Sequence, residues 1–152
     1  WANCYASHRG VDEVDSGQFD RDFETDFITG ACMFIKRSVL ETVGLFDPKY
    51  FLYLEENDLC QRAKRASYKL IFLYSPVVWH ANAQATGIGS SLHDYYLTRN
   101  RLLFGLRYAP THTKIALLRE SYRLYNTGRP WQKRGIIDFY TGNFGAGSFQ
   151  SE

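Results

Sequence analysis

Tyr53-Leu54-Glu55-Glu56-Asn57-Asp58 sets three carboxylates within four residues. Two readings compete. Acids in the first turn of a helix complement its dipole, and Asp58 has Arg62 four residues on to pair with. A carboxylate facing a cavity instead takes a proton from a hydroxyl nucleophile. Phe51, Leu52 and Tyr53 run apolar straight into the acids, which favours the second reading.

His80 closes the segment Val77-Val78-Trp79-His80. A lone histidine at a strand end is either hydrogen-bonded structure or a metal ligand, and no H-x-x-H completes a ligand set around it. Arg99-Asn100 is the third candidate. Arg99 falls within an apolar helical stripe with Leu92, Tyr95 or Tyr96, Leu102 or Leu103, and Leu106. A guanidinium there must meet an anion, because burying it unpaired is costly. That anion is an internal carboxylate, such as Asp94 or an acid of the 55–58 cluster, or a phosphate held two-pronged.

The elements that must carry these residues follow from local signals. Residues 1–26 are polar with scattered Asp and Gly and read as a long loop. Phe27 to Lys36 reads as a strand whose backbone is closely approached at Gly30-Ala31. A short helix runs from a Ser38 cap to Val43 and stops at Gly44, and Phe46-Asp47-Pro48 turns the chain. The next helix spans about Leu54 to Ala66, with Leu59, Ala63 and Ala66 on one face. Strands are expected over Lys69–Tyr74 and Val77–His80. After a Gly-rich loop at 85–89, helices are expected from Ser90 or Ser91 to Tyr108, over Thr111–Tyr125, and from Pro130 onward. The last ten residues are Gly-rich and read as frayed. Strands and helices alternate early and helices dominate late, so the fold class is α/β or α+β with a small sheet.

Composition bounds the function. The 152 residues are 45% hydrophobic and 22% charged, the range of one globular domain with a core. A net charge of +2 is too small to argue for nucleic acid or an acidic membrane as the main partner. Eleven Tyr, 11 Phe and 3 Trp supply core and, in a sugar- or lipid-handling protein, stacking walls. Cys4, Cys32 and Cys60 cannot all pair and form no C-x-x-C, which reads as reduced thiols in a cytoplasmic compartment. No apolar run reaches membrane-spanning length. The first residue is Trp1 rather than Met, from which a piece of a longer protein is expected.

Taken in order, five blocks resemble glycosyltransferase family 2. Thr29-Gly30-Ala31-Cys32-Met33-Phe34-Ile35-Lys36-Arg37 is similar to its "G-A-x-M-x-I-R-R" strand, and Val43-Gly44-Leu45-Phe46-Asp47 to its "x-G-x-F-D" turn. Phe51 through Arg62 resembles "F-x-Y-x-E-D-x-D-L-x-x-R". Val78-Trp79-His80 is similar to a strand-ending histidine, and Tyr95-Tyr96 through Arg99-Asn100 to "Y-Y-x-x-R-N". The resemblance covers roughly residues 8–107, rhamnosyltransferase-like members are nearest in pattern, and the spacing of the blocks is more specific than any one of them.

The resemblance implies the C-terminal, acceptor-side half of a GT-A nucleotide-diphospho-sugar transferase fold, a small mixed sheet followed by several helices. Residues 1–152 are then a single partial domain whose N-terminal nucleotide-binding half, with its D-x-D, is absent; Asp20-Arg21-Asp22 lies in the wrong place to supply it. The implied reaction is inverting transfer from a nucleoside-diphosphate sugar to a saccharide or lipid-linked acceptor in cell-surface polysaccharide synthesis, usually with Mg or Mn. Glu56 takes the place of the catalytic base, with Glu rather than Asp there, and Glu55 is able to share the role. Gly30, Ala31, Tyr53, Trp79, Arg99 and Asn100 are implied at the substrates, and His80 at the metal. The isolated chain is expected to be inactive. A cytoplasmic location follows, with contact at the inner face of the membrane as an option: Ile115, Leu118 and Tyr122 are helically spaced beside Lys114, Arg119 and Arg123, although core packing is the simpler account of that stripe. The alternative class is a non-catalytic binding module that self-assembles as a homodimer through its apolar surface.

Overall fold

The computed structural model describes residues 4, 9–10, 13–79 and 89–149. In chain order they form strand β1 (Phe23–Thr25), helices α1 (Arg37–Val43) and α2 (Glu55–Arg65), strand β2 (Leu70–Phe72), and helices α3 (Ser91–Tyr108), α4 (Thr111–Thr127) and α5 (Pro130–Thr141). This is a mixed α/β arrangement of five helices and one small sheet among the described residues. The chain divides into two compact units, one with α1, β1, β2 and α2 from Glu56 onward, the other with Asp47–Glu55 and α3 to α5.

In the first unit β1 and β2 pair antiparallel, with Phe23 opposite Phe72 and Thr25 opposite Leu70. The Phe23 and Phe72 rings stack at 4.7 Å, a cross-strand contact that reinforces so short a ladder. Two expectations change here. β1 arises inside the stretch read as loop, because three residues are too few to show a period. Phe27 to Lys36 forms no strand. The chain turns at Thr29, whose carbonyl accepts from the Cys32 N–H, and Ile28 and Met33 pack with Val39 and Tyr68 around Cys60, Ala63 and Leu70. Its apolarity serves packing, not pairing. Val77, Val78 and Trp79 are likewise outside any strand and exposed. Pro76 ahead of them has no N–H for a ladder.

Helix α1 ends at Gly44, whose φ of 81° only glycine adopts cheaply. Its cap residue is Lys36 rather than Ser38. The carbonyls beyond it are collected by Arg62 of α2, which donates to Val43, to Gly44 at 3.4 Å and to Leu45 at 2.7 Å, while pairing with buried Asp58 at 2.8 Å. That pair therefore ties two helices together.

The second unit is built on α3. Ser90 caps it, its hydroxyl accepting from the His93 N–H at 3.2 Å. Leu102, Phe104, Leu117 and Ile136 form its core with Tyr50 and Leu54. Helix α5 approaches α3 closely at Gly135, where a methyl group would stand 2.6 Å from the Tyr95 carbonyl oxygen. Residues 143–149, expected to fray, are packed instead. The Tyr96 hydroxyl donates to the Ala146 carbonyl at 2.9 Å, and the Phe149 ring lies 4.9 Å from that of Trp131. Cys4, Cys32 and Cys60 form no disulfide, and burial pushes the thiols of Cys4 and Cys60 up. No helix among the described residues is long and apolar enough to cross a membrane.

Candidate active site

Residues 50–54, which lead into α2, hold an unusual backbone. Phe51, Tyr53 and Leu54 sit in the left-handed region with φ of 62°, 68° and 70°. Each such non-glycine residue costs roughly 1–3 kcal/mol unless its surroundings over-determine it. The surroundings here are Arg99 and Asn100. The Asn100 amide donates to the carbonyls of Tyr50 at 2.8 Å, Leu52 at 2.7 Å and Tyr53 at 3.0 Å. Arg99 Nε donates to Asn100 Oδ1 at 3.0 Å, which fixes the amide's orientation, and Nη2 reaches the carbonyls of Lys49 and Tyr50 at 3.2 and 3.0 Å. Both side chains are fully buried.

Arg99 thus meets no carboxylate among the described residues. Its partners are main-chain carbonyls and the Tyr95 hydroxyl, and its guanidinium lies over the Tyr95 and Tyr96 rings at 5.3 and 5.1 Å. Asp94, the carboxylate first considered, pairs with Arg129 instead. Asp47 has a comparable task. It accepts from the Lys49 N–H at 3.0 Å and from both Nη atoms of Arg107 at 3.0 Å, bracing the start of the same segment.

After these assignments the blocks found in the sequence separate into two kinds. Gly44, Asp47, Asp58, Arg62, Arg99 and Asn100 are engaged in holding backbone or one another. Along residues 53–57, by contrast, polar atoms are buried without a hydrogen-bond partner among the described residues: the Tyr53 hydroxyl, Glu56 Oε2 and Asn57 Oδ1. Native proteins leave few such atoms, and each is normally met by a partner such as water, an ion or a ligand. Glu55 and Glu56 open α2, where its unsatisfied N–H groups favour carboxylates.

The expected companions fall as follows. Gly30 lies beside Glu56, a methyl on it reaching the Glu56 Cβ at 4.0 Å, and Ala31 follows it, exposed. The Tyr53 ring meets His93 edge-on at 5.7 Å, in the unit that also holds Arg99 and Asn100. Trp79 is 94% exposed. His80, the expected metal ligand, lies outside the described residues. Among the described residues no three His, Cys, Asp or Glu side chains converge to hold a metal ion, so those residues give Mg or Mn no ligand set.

Sequence reasoning missed His93. Its Nδ1 is buried without a hydrogen-bond partner among the described residues, with Asp94 Oδ1 4.0 Å away. Its only signal was its place three residues after the Ser90 cap, which any helix start shares. It also missed Asp138, which gathers Tyr95, Asn143 and Ser148 around one buried carboxylate.

Residues 1–101 match the profile of the glycosyltransferase-like family 2. The chain belongs to that family. Among curated proteins it is similar to an N-acetylglucosaminyl-diphospho-decaprenol L-rhamnosyltransferase of Mycobacterium tuberculosis, 34% identical over 67 residues, which cover 44% of this chain and 22% of that protein. It is also similar to the low-salt glycan biosynthesis hexosyltransferase Agl10 of Haloferax volcanii, 38% identical over 79 residues, 51% of this chain and 26% of that protein. The matched stretches therefore span about a quarter of these relatives. No solved structure matches.

Proposed function

We propose that this chain carries the acceptor-side base of an inverting glycosyltransferase, with Glu56 as that base. The buried, partnerless Oε2 of Glu56 is the observation that carries the reading. In the step, an acceptor hydroxyl gives its proton to Glu56 as its oxygen attacks the anomeric carbon. The bond from that carbon to the diphosphate oxygen breaks on the opposite face, and the nucleoside diphosphate leaves with the electron pair. A positioned carboxylate contributes about a hundredfold or more to such a step. Arg99 and Asn100 are positioning residues in this scheme. They fix the backbone of residues 50–54 ahead of the acid pair. The relatives' names, rhamnosyl- and hexosyltransferase, support a hexose-type donor and a saccharide or lipid-linked acceptor, and so a site of work at the cytoplasmic face of the membrane.

The test is Glu56→Gln in the enzyme that contains this chain, assayed by sugar transfer. The amide keeps size and hydrogen bonding but holds no proton-accepting carboxylate. The expected result is a kcat at least about a hundredfold lower with an unchanged thermal midpoint, and a smaller loss for Glu55→Gln. Turnover within a fewfold of wild type in Glu56→Gln removes the residue from this role.

A further inference from the structure

Helix α4 has an apolar stripe that the fold does not use. Its core-facing positions are Thr113, Leu117 and Ser121, all buried. The stripe Ile115, Leu118, Tyr122 and Tyr125 is exposed, Tyr122 to 74%, which overturns the expectation that this stripe is core. The spacing i, i+3, i+7, i+10 aligns the four on one line along the helix. At about 100° per residue, Lys114 borders that line on one side and Arg119 and Arg123 on the other. The helix's one acid, Glu120, is drawn to Arg101 of α3 at 3.0 and 2.5 Å, while Arg123, at 4.0 Å from it, keeps a side chain 68% exposed. No carboxylate of α4 therefore borders the stripe.

We propose that this face of α4 lies on an anionic lipid surface, with Ile115 and Leu118 in the acyl boundary, Tyr122 and Tyr125 at headgroup level, and Lys114, Arg119 and Arg123 on lipid phosphates. An apolar line bordered by cations is what a helix lying in the interface plane requires. The same charges disfavour a second copy as the occupant, since matching faces would oppose Lys and Arg with Lys and Arg. The inference does not rest on the transfer reading, and its test needs no turnover.

The chain is floated with vesicles of phosphatidylcholine alone and of phosphatidylcholine with phosphatidylglycerol, at low and high salt. Wild type is expected to bind the anionic vesicles, to lose them in high salt and to ignore the neutral ones. Arg119→Gln/Arg123→Gln and Ile115→Ser/Tyr122→Ser are each expected to weaken partitioning by about tenfold or more, with an unchanged circular dichroism spectrum. All the substituted residues are exposed; should the apolar variant fail to fold, the charge variant decides. Absent or charge-independent vesicle binding overturns the proposal, as does wild-type binding by the charge variant. So does a concentration-dependent dimer in light scattering that dissolves in the apolar variant without any vesicle binding.

Discussion

At the scale of single residues, the candidate site is defined by what is left unsatisfied. Most motif residues find partners within the fold, whereas the Tyr53 hydroxyl finds none among the described residues. A buried orphan hydroxyl costs stability, so its removal separates function from folding. Tyr53→Phe is expected to leave the unfolding free energy unchanged or raised by up to about 1 kcal/mol. The same change is expected to raise KM or lower kcat about tenfold in a transfer assay, the order of one hydrogen bond to a bound group. A fall in stability of that size without a kinetic effect would show that the hydroxyl has a partner in the free protein. The two measurements together are needed because an internal hydrogen bond and a ligand contact predict opposite signs for stability.

At the scale of elements, local chemistry was legible in the sequence and long-range chemistry was not. Gly44, Ser90 and Pro130 announced helix ends because capping depends on neighbours in sequence. The Asp58–Arg62 pair was readable for the same reason. The left-handed backbone at Phe51, Tyr53 and Leu54 was not readable, since it is imposed by Arg99 and Asn100 nearly fifty residues away. Nor was the order of residues 143–149, which depends on Tyr95, Tyr96 and Asp138. The family resemblance gave Glu56 the place of the base and Asn100 a place at the substrates; their partners separate the two, since Asn100 donates to three carbonyls whereas Glu56 Oε2 has no hydrogen-bond partner among the described residues. This separation has a measurable consequence. Asn100→Ala leaves those carbonyls unsatisfied and is expected to cost about 2–3 kcal/mol. Asn100→Asp is expected to cost more at neutral pH, because a carboxylate would then face the carbonyl oxygens. Chemical denaturation of both variants checks the order, and equal costs would mean that the amide's donors are not what holds the segment.

At the scale of the whole molecule, the buried cluster around Asp138 sets how stability responds to pH. Burial alone would raise this carboxyl, yet hydrogen bonds from Tyr95 and Ser148, with Arg134 beside it at 3.4 Å, hold it below the usual carboxylate range. Its partner Tyr95 moves the other way. Burial first, and then its bond to Asp138, push the phenol up to about 12. A carboxyl lowered in the folded state contributes stability that is complete above its unfolded value near about 4 and is lost as pH falls through the folded value. A phenol raised in the folded state contributes stability that is complete below about 10 and is lost as pH rises toward about 12. The pair therefore predicts a flat plateau through neutrality with a fall at each end. Asp138→Asn should lower the plateau by about 2–3 kcal/mol and flatten the acid limb, because the group that titrates there is gone. The alkaline limb should persist in that variant with its onset still near about 10, but end at lower pH and be shallower, since Tyr95 loses its charged acceptor and keeps only the effect of burial. Denaturant unfolding as a function of pH, with tyrosinate absorbance followed in parallel, reads both limbs. An acid limb in Asp138→Asn as steep as in wild type would move that dependence to other carboxylates.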